Sequence, residues 1–236
     1  MGKGKTLFDY GHKKIFEGES EDHLIQSFTD NVTSRDGRKT GRIKGKGILN
    51  NAISAYIFEY LQSYHVANYF MEKMNERDMR INNIAPIPVD VVVRNVVTGA
   101  VARNFGLKDP TDLESPFIEY FYNADFVKYP LINESHIHAL NLADSDDIRN
   151  MSMEITKSNA VLKPFFERRN IKLVEFKIRF GVSDGQVMIA GEFNPDTCRL
   201  LDVETGEILD SNRFNRDGGK TVKIYREVYD RLIGMG

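Results

Sequence analysis

Between Val174 and Phe180 the chain alternates strictly: Val174, Phe176, Ile178 and Phe180 are apolar, and Glu175, Lys177 and Arg179 between them are charged. A period of two is the repeat of an extended strand, so this stretch predicts a strand with one apolar face and one charged face. Ser183, Asp184 and Gly185 then form a hairpin turn into the run QVMIA. Near the start, TLFDYGHKKIFEG and HLIQSFTD are short apolar runs broken by Gly11 and Gly18, which predicts antiparallel strands with the first tight turn at Gly11. Val89, Val91, Val92 and Val93 predict a buried strand entered through Pro86 and Pro88.

Elsewhere the spacing changes to three and four. Ala52, Ile53, Tyr56, Ile57, Tyr60 and Leu61 predict an amphipathic helix from Asn50, whose side chain can cap it. A long helix capped by Asp144 or Ser145 carries Ile148, Met151, Ile155, Val161, Leu162 and Phe165, with Pro164 near its end. Val222, Tyr225, Val228, Tyr229 and Leu232 predict a C-terminal helix. Ser34–Gly47, with four glycines and six Lys or Arg in fourteen residues, reads as a loop. From Arg94 to about Glu134, with prolines at 110, 116 and 130, the chain reads as loops and short helices. The mixture predicts an α+β fold of two lobes: a small antiparallel β N-terminal lobe with a helix, 1–85, and a mixed α/β C-terminal lobe, 86–236, holding the substrate site.

Composition narrows the function class. The 236 residues carry 32 Lys plus Arg against 34 Asp plus Glu, a net charge of −2, which argues against a mainly electrostatic nucleic-acid or membrane-surface role. With 41% hydrophobic residues the chain can bury a core, and no run approaches the roughly 18 apolar residues of a membrane span. Cys198 is the only cysteine, so no intramolecular disulfide can form, and MGKGKTLFDYGHKK lacks the apolar core of a signal peptide. A soluble protein of the reducing cytoplasm is expected.

Several residues could carry chemistry. The turn YGHKK could hold phosphate oxygens on backbone N–H groups and Lys14, or be a plain hairpin with solvated lysines. Arg94, at the end of the valine strand, suits either a bidentate grip on phosphate or carboxylate or an interlobe salt bridge. Glu192, Asp196, Arg199 and Asp202 crowd into eleven residues beyond the charged strand face, a composition suited either to a cleft for anionic substrates and metal-bound phosphates or to a solvated surface. Cys198 has no neighbouring histidine to activate it and reads as a packed residue. His136 and His138 have strand-like spacing for one metal but no third ligand, which favours a hydrogen-bonding role.

The stretches LFDYGHKKIFEG, FTDNVTSRDG, IKGKGILNNAISAYIF, PIPVDVVVRNVVTGAVARNFG, PLINES, LVEFKIRFG and GEFNPDTCRLLD stand in the order and spacing of one family. On them the chain resembles, nearly end to end, the phosphoribosylaminoimidazole-succinocarboxamide synthase (SAICAR synthetase) family of purine biosynthesis. The resemblance implies a SAICAR synthetase-like fold related to ATP-grasp and kinase architectures, with ATP and Mg²⁺ between the lobes. It also implies a homodimer acting on small molecules, joining the carboxylate of carboxyaminoimidazole ribonucleotide to the amine of L-aspartate with ATP. Arg94, Arg199 and Asp196 would bind the ribonucleotide, with Gly99 and Ala100 supplying backbone contacts and Asp36 closing over it. Lys177 would neutralise developing charge, with Asp196 the second catalytic residue. Gly11, His12, Lys13 and Lys14 would cover the ATP phosphates, and Glu192 would bind Mg²⁺.

The chain departs from the family pattern at specific places. Gly11, His12, Lys13 and Lys14 stand for Gly-Lys-x-Lys, and Asn123, Ala124 and Asp125 for a Lys before an Asn-Asp or Asp-Asp pair. Ala100 replaces the Ser of a Gly-Ser turn, and the run from Asp210 to Arg216 stands for Asp-Lys-Asp-x-Phe-x-Arg. Arg179 and Gly191 stand where the resemblance implies acidic Mg²⁺ ligands. Two readings follow. One is a divergent ligase in which Glu192 with Glu175 or Asp202 holds Mg²⁺ and Arg179 replaces metal charge on the phosphates. The other is a ribonucleotide-binding regulator or ATP-independent enzyme.

Overall fold

The computed structural model describes residues 3–33, 40–124, 127–213 and 222–234. Asp36, Asp125, Phe214, Asn215 and Arg216 lie outside them. A five-stranded antiparallel sheet comes first, formed by β1 (Thr6–Asp9), β2 (Lys13–Glu17), β3 (His23–Phe28), β6 (Phe70–Lys73) and β7 (Asp78–Asn82) in the order β1-β2-β3-β7-β6. Gly11 makes the turn between β1 and β2 at φ +77°, where a side chain would be strained. A separate pair, β4 (Asn31–Thr33) and β5 (Thr40–Arg42), follows β3.

The first long helix, α1 (Lys46–Ser63), begins four residues before the expected Asn50, and its N-cap is Gly45 rather than an asparagine. Part of the expected 34–47 loop is therefore strand and helix. The first turn of α1 hides polar groups that sequence spacing alone reads as solvated. Gly47 N–H donates to Asp30 Oδ1 at 3.1 Å, and the Asn51 amide donates to the Asn75 carbonyl at 2.9 Å.

The second sheet runs β10-β9-β8-β11-β12, with β13 pairing the first half of β11. Its strands are β8 (Ala85–Val97), β9 (Thr111–Tyr122), β10 (Leu131–Ile132), β11 (Ile171–Ser183), β12 (Gln186–Ala190) and β13 (Cys198–Asp202). The strand β9 corrects the expectation of loops between Arg94 and Glu134. It was concealed because its residues are mostly half-buried and do not alternate, and because Pro116 interrupts it. Pro116 lies where the β8–β9 register shifts, so its missing N–H is not asked of a regular ladder. Short helices α2 (Gly99–Asn104) and α3 (Glu134–Ala139) flank this region. The histidines expected at strand spacing sit in α3, where His136 Nδ1 accepts the Asn133 N–H at 3.1 Å as part of a capping box.

The helix α4 (Ser145–Glu167) is capped by Asp144, whose carboxylate accepts the Asp147 N–H at 2.8 Å, and it packs on β11 and β12. The last helix, α5 (Val222–Ile233), packs on α1. Val174, Phe176, Ile178 and Phe180 are buried as the alternation requires. The largest apolar cluster runs through both sheets. Backbone bonds also join them, since Tyr69 N–H donates to Ile189 at 3.0 Å and Ile189 N–H to Ala67 at 2.9 Å.

Candidate active site

The charged face of β11 floors a cleft between the two sheets, closed on one side by the β1–β2 turn and on the other by the loop from β12 to β13. The cavity volume of this cleft is about 170 Å³. Antiparallel register puts Arg179 opposite Asp90 of β8. Asp90 is buried and accepts from Arg179 Nε at 2.9 Å, Asn123 Nδ2 at 2.7 Å and the Tyr129 hydroxyl at 2.7 Å, with Lys177 Nζ 3.3 Å away. Burial works to raise the Asp90 carboxyl, but Arg179 and Lys177 outweigh it and hold the group below the usual carboxylate range.

The loop from Gly191 to Thr197 is tied down by its own side chains. Thr197 Oγ1 donates to the Glu192 carbonyl at 2.6 Å, and Asp196 N–H donates to Asn194 Oδ1 at 2.9 Å. From α1, Ser54 Oγ donates to the Phe193 carbonyl at 3.1 Å and anchors the loop. Glu192 is buried and ion-paired to Lys13, and His12 Nε2 lies 3.0 Å from its other oxygen. Burial alone would raise the Glu192 carboxyl, yet Lys13 and His12 hold it well below the usual range. Burial also pulls the Lys13 ammonium below its ordinary value, against the attraction of Glu192.

Of the four residues expected over phosphates, His12 and Lys13 line the cleft. Gly11 shapes the turn, its carbonyl accepting from Thr29 Oγ1 at 2.6 Å, and Lys14 turns to Asp9 at 2.9 Å. Lys13 is buried against Glu192 rather than presented to solvent.

A second cleft adjoins the first and shares Thr33, Lys177, Asp196, Thr197 and Ser211 with it. Arg94 and Arg199 line its far part. Arg94 is not a free guanidinium: its Nε donates to Glu119 at 2.6 Å and another nitrogen pairs with Glu175. Arg199 is more open, with Nη1 3.2 Å from Thr98 Oγ1 and 3.7 Å from Glu175. Gly99 and Ala100 begin α2 just past Thr98, and Gly99 N–H donates to Asp109 at 2.8 Å.

Asp196, at the junction of the clefts, is held by Lys46, by Asn50 Nδ2 at 2.8 Å and by the Tyr225 hydroxyl. These three partners and Asp90 escaped the sequence reading. The available signals were single charges in uncharged surroundings: Asp90 inside a valine run, and Lys46 between two glycines. Cys198 is buried, which pushes its thiol up to about 12 and fits the packed role.

The carboxylates do not assemble a metal site. Among the described residues no three of His, Cys, Asp and Glu come close enough to hold an ion. Glu192 is paired to Lys13 and His12, Glu175 to Arg94 and Arg199, and Asp202 to Arg231 at 2.6 Å. The expected Mg²⁺ set of Glu192 with Glu175 or Asp202 is not assembled among the described residues, because each is paired to a different cation. This donor set does not fit a divalent cation held by the protein.

Comparison with known proteins places the chain. The SAICAR synthetase family model matches residues 6–232. The phosphoribosylaminoimidazole-succinocarboxamide synthase of Chlorobium phaeobacteroides (strain BS1) is 38% identical over 235 residues, covering 100% of each chain. That of Bacillus subtilis (strain 168) is 38% identical over 99% of this chain and 97% of its own. The crystal structure of the Ehrlichia chaffeensis synthase superposes with a TM-score of 0.91 at 32% identity, covering 97% of this chain and 98% of that one. A structure described as SAICAR synthetase (Type-2) in complex with ADP gives a TM-score of 0.92 at 32% identity over 98% of both chains. A full-length match in sequence, a matching fold and a double cleft at the expected strand together establish that this chain belongs to the SAICAR synthetase family.

Proposed function

We propose that the chain is a SAICAR synthetase-type ligase that joins the carboxylate of carboxyaminoimidazole ribonucleotide to the amine of L-aspartate, converting ATP to ADP and phosphate. A carboxylate is a poor electrophile. Transfer of the γ-phosphoryl group to a carboxylate oxygen makes an acyl phosphate, and the aspartate amine then displaces phosphate to form the amide. The observation that carries the assignment is the meeting of two clefts at Lys177 and Asp196. Nucleotide bound under the β1–β2 turn and ribonucleotide bound toward Arg94 and Arg199 would bring their reacting groups together there.

In this reading Lys177 neutralises charge on the oxygens between the two sites during transfer. Arg199 grips the ribonucleotide, and Arg94, fixed by two carboxylates, shapes its pocket. Asp196 faces the sugar or imidazole side, held in orientation by Lys46, Asn50 and Tyr225. Gly99 and Ala100 border the ribonucleotide end, and Asp36 belongs to the segment that would close over it. His12 and Lys13 lie at the nucleotide phosphates. The division into lobes 1–85 and 86–236, a homodimer and a cytoplasmic location complete the proposal.

The relative whose structure is described as holding ADP supports ATP use over the ribonucleotide-only reading. The test is ADP release in the presence of the ribonucleotide, measured with and without L-aspartate. Release that requires aspartate is expected; release indifferent to aspartate, or none, would exclude the ligase.

A further inference from the structure

On the β11 floor of the nucleotide cleft, a buried acid lies under more exposed bases. The side chains of Asp90 and Glu192 are 1% and 3% exposed, whereas those of Lys177, Arg179 and His12 are 43%, 34% and 37% exposed. Asp90 sits beneath Lys177 and Arg179, while Glu192 and Asp196 are paired to the buried Lys13 and Lys46, so the charged groups this floor offers to a ligand are Lys177 and Arg179. The Gly191 carbonyl, at the position where the resemblance implies an acidic ligand, already accepts from the Tyr69 hydroxyl and from Gln26 Nε2 at 3.4 Å. The guanidinium of Arg179 is fixed on two sides, by Asp90 at 2.9 Å and by the Tyr10 ring at 5.3 Å from its carbon to the ring centre. A guanidinium held in this way has most of its rotamer entropy removed before a ligand arrives and keeps donors for phosphate oxygens.

From this arrangement we infer that the cleft binds the nucleotide's phosphates directly on Arg179 and Lys177, so that recognition of the nucleotide does not depend on a divalent cation. The inference rests on the assignment of this cleft to ATP. A Mg²⁺ ion carried by the nucleotide finds no unpaired carboxylate among the described residues of the cleft and brings positive charge towards Lys177 and Arg179, so it adds nothing to affinity. Metal-free nucleotide, with its larger negative charge, is bound at least as well.

Calorimetric titration of the full chain with ADP, in Mg²⁺ and in EDTA, tests this. The two dissociation constants are expected to agree within about threefold, or to favour EDTA. Arg179→Gln should weaken ADP in EDTA by about tenfold, the loss of one charge-assisted contact. Arg179→Glu should reverse the preference: its added carboxylate removes binding in EDTA and restores it in Mg²⁺. Thermal melts of both variants check that they are folded; Asp90 keeps Lys177, Asn123 and Tyr129 as partners in either. Wild-type binding that strengthens tenfold or more in Mg²⁺, or Arg179 variants that bind ADP in EDTA as the wild type does, would overturn the inference and leave the ligase assignment standing. ADP binding under neither condition would overturn that assignment and this inference with it.

Discussion

Lys46 and Lys14 are both lysines in glycine-bearing, basic stretches of sequence, and the fold treats them oppositely. Lys46 is fully buried on Asp196, while Lys14 lies on the surface beside Asp9. Lys46→Met leaves the half-buried Asp196 carboxylate without its cation and is expected to lower unfolding free energy by about 1–3 kcal/mol. Lys14→Met should stay within about 0.5 kcal/mol of wild type. Urea titrations of the two variants give the comparison, and equal losses would show that Lys46 is not a structural ion partner. For catalysis, Lys177→Met is expected to lower aspartate-dependent ADP release by about 10²-fold or more while ribonucleotide still binds, since in the proposed reaction its charge acts on the group in transfer. Arg199→Ala should instead abolish ribonucleotide binding; unchanged affinity would place that ligand elsewhere. Lys177, Glu192 and Arg199 were legible because the strand period and the crowded loop set them apart. Lys46 and Asp90 were not, because what gives them meaning is a partner 150 or 89 residues away.

At the scale of elements, the start of α1 was misread for a reason that can be measured. Gly45, at φ +88°, has open space where a Cβ would stand, so Gly45→Ala meets only backbone strain, roughly 1–2 kcal/mol. Gly47 has an ordinary φ, but a Cβ there would lie 2.6 Å from the Phe28 carbonyl oxygen. Gly47→Ala must therefore push α1 away from β3, and it is expected to be the more destabilising of the two in thermal melts. If Gly45→Ala proves worse, the helix begins elsewhere. Two of the glycines that made this segment look like a loop, Gly45 and Gly47, serve a left-handed cap and a close helix–strand approach, and composition cannot distinguish these uses from flexibility. The strand β9 was missed for a related reason. Propensity marks Pro116 as a break, while the sheet accommodates it at a change of register. By contrast β11 and α4 are buried on one face, so their periods were plain.

For the molecule as a whole, the net charge of −2 conceals buried carboxylates paired to cations. Asp90 and Glu192 both have carboxyls held below their unfolded values by neighbouring cations. Their contribution to stability is therefore fully present above the unfolded carboxylate range, about pH 4, and is lost as pH falls further. The melting temperature is expected to change little from pH 7 to about pH 5 and to drop steeply below about pH 4. Asp90→Asn, which removes one such group, should shallow that drop; an acid limb of unchanged steepness would mean the pair is not coupled to folding.

Residues on either side of position 85 complete one another's interior. The ring of Phe58 on α1 packs edge-on to Phe193 at 5.5 Å, and Tyr69 is bonded through its backbone to Ile189. Cleaving the chain there would leave each piece with an uncovered half of the same interior. Fragments 1–84 and 85–236, made separately, should aggregate, and made together they should recover as a soluble non-covalent pair. The cleft would then be rebuilt by association alone, with no peptide bond linking the β1–β2 turn to the strand that carries Lys177.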